Sequence, residues 1–88
     1  MIIVDVEASG VDPHKSSLLS VGAVDFNNHA NRFYEECRIF EGAHIEKEAL
    51  DVCGFTKVEI NDPAKQTDRE LVEHFLKWLS GCKEWTLA

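Results

Sequence analysis

The 88-residue chain has no CxxC pair, and its three cysteines, Cys37, Cys53 and Cys82, are odd in number and widely spaced. That fits neither a disulfide framework nor a zinc site, and it leaves them as small buried hydrophobes in a reducing cytoplasm. No apolar run approaches the ~20 residues of a membrane span. No basic region followed by an apolar segment marks a secretory leader, because an acid interrupts the first apolar run at residue 5. Lys and Arg are scarce, 9 against 16 Asp and Glu for a formal net charge of −7, and they do not cluster. A nucleic-acid coat needs a basic face, so the balance argues against non-specific tracking of long duplex. A local site with bound cations could still hold a phosphate. Repeats and low-complexity segments are also lacking. The expectation is a cytoplasmic protein with no membrane association.

What is present reads as one domain, residues 1–88, with an apolar fraction of 44% that argues against disorder. Residues 2–8, "IIVDVEA", are rich in β-branched residues and predict a strand, followed by a loop carrying Gly10 and Pro13. A second strand is expected over 18–26, where Gly22 suggests a bulge or a close backbone approach. Turn chemistry at 27–31 and a third strand over 32–40 complete an antiparallel meander. Helical period then takes over. A helix over 44–54 places Ile45, Ala49, Val52 and Cys53 near one face, with Gly54 as terminator, and residues 55–66 read as irregular with a turn at Asp62-Pro63. Thr67 and Glu70 form a capping box for a helix with the apolar stripe Leu71, Val72, Phe75, Leu76 and Leu79, closed by Gly81. "EWTLA", 84–88, reads as the start of a fourth strand parallel to the first. The fold class is α/β, an α+β arrangement on a mixed sheet.

Asp5 and Glu7 stand out. Two apart on a strand, they project from one face with Cα atoms roughly 6.5–7 Å apart. Unit charges ~5 Å apart at an effective dielectric of 20 repel by about 3 kcal/mol. Protonation, a nearby Lys or Arg, or a bound divalent cation would relieve this; the segment supplies no basic residue locally, and hard oxygen ligands suit Mg²⁺ or Mn²⁺. The bland alternative is that the strand ends by residue 5 and both acids point to water.

The longer stretch "IIVDVEASGVDPHKSSLLSVGAVDF" resembles the opening of the DEDD-type (DnaQ-like) 3′–5′ exonucleases, which include proofreading subunits, oligoribonuclease and RNase T. Asp5, Glu7 and Gly10 match their Asp-x-Glu-x-x-Gly motif. "SVGAV" at 20–24 matches the apolar strand ending "IGAV", and "IEKEALDVCGFTKVEI" at 45–60 looks like the "EAL…V.G(I/F)T" segment. The resemblance implies a ribonuclease H-like fold and hydrolysis of nucleic-acid phosphodiesters from the 3′ end by two metal ions, Mg²⁺ or Mn²⁺. By that likeness Asp5 bridges both ions, while Glu7 ligates one and helps hold the attacking water. Ala8, Ser9 and Gly10 match the turn whose backbone amides meet the terminal nucleotide, and Val11 falls where an apolar residue lies against its base. The partners so implied are single-stranded 3′ ends or short oligonucleotides.

Two further carboxylates and a His or Tyr of the family's site have no counterpart. His14, His29, His44 and His74 read as loop, turn and helix residues, and Asp12 and Asp25 as turn chemistry and a strand edge. The expectation is therefore a truncated domain, inactive alone, that binds metal weakly and is prone to self-association through an unpaired edge. Two other readings stand beside it: a non-catalytic interaction module that keeps an exonuclease-like half-fold, and an unrelated α+β domain with two exposed strand-end acids.

Overall fold

The computed structural model describes residues 1–82, so the strand expected at 84–88 lies outside the described residues. The order is β1 (Ile2–Ala8), β2 (Leu18–Asp25), β3 (Asn28–Glu36), α1 (Lys47–Cys53), α2 (Lys57–Ile60) and α3 (Asp68–Ser80). The three strands form one antiparallel sheet in the order β1-β2-β3, the meander expected from the short connections. The class is α+β, as expected.

β3 begins four residues earlier than the turn chemistry suggests. Only Phe26 and Asn27 separate β2 from β3, because the Asp25 carboxylate accepts the Asn27 N–H at 2.9 Å and closes the turn at once. The ladder shifts register between Val24 and Asp25 to accommodate it. Residues 37–40 are not strand; Cys37, Arg38 and Ile39 donate their amides to Leu19, Gln66 and Ile60 respectively. Gly22 is not at a bulge. It pairs regularly with Asp5 and Tyr34, and the bulge lies instead where Glu7 faces Ser20 and Ala8 faces Leu18. The extra residue there, Leu19, is fully buried and joins a small core with Leu50 and Ile60.

α3 supplies the main core. Its capping box is complete: Thr67 accepts the Glu70 amide, and Glu70 accepts the Thr67 amide. Leu71, Phe75, Trp78 and Leu79 pack on Val4, Val21, Ala23 and Phe33 of the sheet. Phe33 meets Phe75 edge-on at 5.7 Å between ring centroids, and Trp78 anchors the far end by donating its indole N–H to Asn31. Val72 and Leu76 were expected in this stripe, but they lie on the flank of the helix and stay exposed. Arg69 and Glu73 pair on the outer face.

The first helix is shorter than expected, starting at Lys47, and Gly54 ends it in the left-handed conformation with φ 80°. Its buried residue is Leu50, whereas Val52 is 86% exposed and faces away from the core. α2 falls in the stretch read as irregular. Thr56 and Glu59 form a second capping box, and one turn suffices to bury Ile60. The Asp62 turn follows, with its carboxylate accepting the Ala64 amide.

Candidate active site

The register settles where the two acids point. Asp5 pairs with Gly22 and Glu7 with Ser20, so both project from the sheet face opposite the one α3 covers. β1 runs on to Ala8, so the strand does not end by residue 5. Asp5 is exposed and Glu7 half-buried. Among the described residues the ion pairs are Lys65–Glu36, Arg69–Glu73 and His74–Glu35, none of which involves either acid.

Past the bulge the ladder ends at Ala8, and the chain turns into Ser9, Gly10 and Val11. This turn is tightly held. Ser9 is completely buried; its N–H donates to Ser17 O at 2.9 Å, and its hydroxyl donates to His44 O while accepting the Ser17 amide. Glu46, the residue before α1, donates its amide to Ser9 O and accepts the Val11 N–H on Oε2 at 2.8 Å. Gly10 lies beneath that carboxylate. A Cβ there would sit 2.4 Å from Ser16 Oγ and 2.5 Å from Glu46 Oε2, so the site admits no side chain without displacing the lock. The Ser9 and Val11 amides are thus committed within the protein. Val11 itself is 88% exposed, an apolar side chain held out at the end of this hydrogen-bonded turn.

Sequence reasoning missed Cys53. It is not the buried hydrophobe that Cys37 and Cys82 are; its thiol donates to Glu7 Oε2 at 2.8 Å. Burial, this hydrogen bond and the Glu7 charge push the thiol up to about 11, so it is a protonated donor at neutral pH. No local signal announces a contact across 46 positions. α1 therefore touches the acid-bearing turn at both ends, through Glu46 and through Cys53.

Tyr34 stands on the same face and donates its hydroxyl to Glu36 Oε2 at 2.7 Å, while burial and that bond raise its phenol above the ordinary value. His14, His29 and His44 are exposed, and His74 faces Glu35 across α3 and β3. Asp12 caps its own turn by accepting the His14 amide. Among the described residues no group of three His, Cys, Asp or Glu side chains could hold a metal ion. Glu36 shares this face but is held by Lys65 and Tyr34, so the donors left without a cation are the two hard carboxylates of Asp5 and Glu7, which suit a hard divalent cation as a partial ligand set.

No family model and no curated protein matches the chain. Solved structures do: the crystal structure of cell-death related nuclease 4 (CRN-4) aligns with 99% of this chain at a TM-score of 0.69 and 18% identity. The fold is shared with that nuclease. The chain spans about a third of its length, 32%. Among the described residues no helix is long and apolar enough to cross a membrane.

Proposed function

We propose that the chain carries the Asp-x-Glu part of a 3′–5′ exonuclease site that hydrolyses nucleic-acid phosphodiesters with divalent metal ions. The observation that carries this reading is the placement of Asp5 and Glu7 on one face, without a cationic partner among the described residues, beside a turn locked around Gly10. Two like charges held together call for a counter-charge, and hard oxygen donors select Mg²⁺ or Mn²⁺. Paired cations in such a site polarise the phosphate and activate water. Asp5 and Glu7 would hold them, and the exposed Val11 would meet the terminal base with its apolar side chain. The fold shared with a nuclease supports the reading. Two carboxylates are an incomplete set, so tight metal binding and turnover require further donors beyond those described. The substrate class that suits an acidic chain is a short single strand, which offers few phosphates to neutralise.

The test is a Mn²⁺ titration followed by electron paramagnetic resonance, with and without a nucleoside 5′-monophosphate. Binding strengthened by the nucleotide and lost in both Asp5→Asn and Glu7→Gln is the expected outcome. Mn²⁺ binding that survives both substitutions would overturn the reading.

A further inference from the structure

The sheet face that bears Asp5 continues across β2 and β3 as an open groove of about 560 Å³. Register sets its floor: Asp5 lies beside Gly22 and Tyr34, and Ile3 beside Val24 and Arg32. The hairpin residues Phe26 and His29 close its far end. Most aromatic side chains near this sheet, Phe33, Phe75 and Trp78, are packed under α3. Tyr34 and Phe26 are instead 61% and 54% exposed, on the face that carries the acids.

The details suit flat, planar ligands. Gly22 contributes no side chain between Asp5 and Tyr34, and a Cβ there would already touch the Tyr34 ring at 3.6 Å, so the ring lies along bare backbone. Phe26 stands edge-on to His29, their ring centroids 6.1 Å apart. Arg32 donates Nε and one terminal nitrogen to His29 O at 3.0 and 2.8 Å. That pair of hydrogen bonds holds the guanidinium on the hairpin while leaving it exposed, with its charge at the opposite end of the groove from Asp5.

An acidic chain gains little affinity for a nucleic acid from counterion release, so a strand must be held chiefly by stacking on exposed rings. We infer that this groove is a subsite for the bases of a single strand upstream of its 3′-terminal nucleotide, with Tyr34 and Phe26 as stacking platforms and Arg32 as the cation on the backbone. The inference rests on the proposed function for its direction, since Asp5 belongs to both sites and sets where the 3′ end lies. Stacking tolerates any base, and a single arginine neutralises one phosphate, so the groove favours short strands of mixed sequence over duplex.

The probes are fluorescein-labelled dT2 and dT5, their binding to the chain measured by fluorescence anisotropy in Mn²⁺. The structure requires dT5 to bind roughly ten-fold or more tighter than dT2, given the worth of one or two stacked bases. Tyr34→Ala, Phe26→Ala and Arg32→Ala should each erode that gain and weaken dT5 more than dT2, whereas Tyr34→Phe keeps the ring and the gain. Asp5→Asn should weaken both oligonucleotides alike, which separates failure of the metal site from failure of the groove. Three results would overturn the inference: no gain from dT2 to dT5, a gain that survives all three alanine substitutions, or substitutions whose sole effect is on self-association in sedimentation. The last would make the face a contact between copies of the chain.

Discussion

The thiol of Cys53 stands 2.8 Å from Oε2 of Glu7, so the half-buried carboxylate is held by a sulfur donor from the end of α1. A hydrogen bond to a charged group is worth about 1.5–3 kcal/mol when its donor is a good one, and a thiol belongs at or below the low end. Cys53→Ala should therefore destabilise the chain by about 1 kcal/mol in urea unfolding. Cys53→Ser keeps a donor and should recover most of the loss. In a Glu7→Gln background the cost of Cys53→Ala should shrink, and equal costs in both backgrounds would show that the two side chains are not coupled.

Gly10 is constrained by space rather than by φ. A methyl group there meets Ser16 Oγ and Glu46 Oε2 well inside contact distance, and relief requires Glu46 to release the Val11 amide. Gly10→Ala should lower stability by about 1 kcal/mol, the worth of the hydrogen bond that Glu46 gives up, because both obstructing atoms are ends of side chains. Adding Glu46→Ala removes one of the two obstructions, so the double variant should lose less than the sum of its parts. Strict additivity in thermal melts would contradict the close approach.

Leu71 is fully buried between α3 and the sheet, against Val21 and Cys37. Leu71→Ala should cost about 2–5 kcal/mol, which for a domain of this size is a large share of the total. Val72→Ala, one position on, removes an exposed side chain and should change stability by less than about 0.5 kcal/mol. The contrast between neighbours is the measurement.

Stability should fall at both ends of the pH range. Burial and the Asp68 charge push the buried Cys37 thiol from its ordinary 9.0 up to about 11. The folded state then binds more protons than the unfolded state between these values, so stability declines as pH rises from about 9 to 11. Cys37→Ala should make that decline shallower, and an unchanged slope would refute the assignment. At the acid end, Gln66 holds Glu35 and Lys65 holds Glu36 below the ordinary carboxylate value of 4.5. Their contribution is present above that value and is lost as pH falls through the lower folded values.

Much of the fold was legible because it obeys simple periods. The alternation in β1, the apolar run of β2 and the Thr67–Glu70 box before α3 each mark an element with local chemistry. β3 slid by four residues because "NNHAN" looks like a loop, whereas Asp25 makes the turn by itself and frees those residues to pair. α2 carried the same box, at Thr56 and Glu59, but one turn of helix has no apolar stripe to confirm it. Val52 was misplaced because a seven-residue helix buries little more than one side chain, Leu50. The spacing of Asp5 and Glu7 sufficed to place them on one face. What holds their surroundings, Glu46 over Gly10 and Cys53 against Glu7, joins residues far apart in the chain and leaves no trace in local pattern.

The sheet divides the chain into two mutational territories. Val4, Ala23 and Phe33 look toward α3, while Asp5, Gly22 and Tyr34 look the other way, in alternation along the stretch between the two register shifts. A library screened for abundance should therefore mark every second position of that stretch, and one screened for ligand binding the complementary set. Ser9 and Gly10, where the strand leaves the sheet and the lock from α1 closes on it, are the positions that both screens should recover.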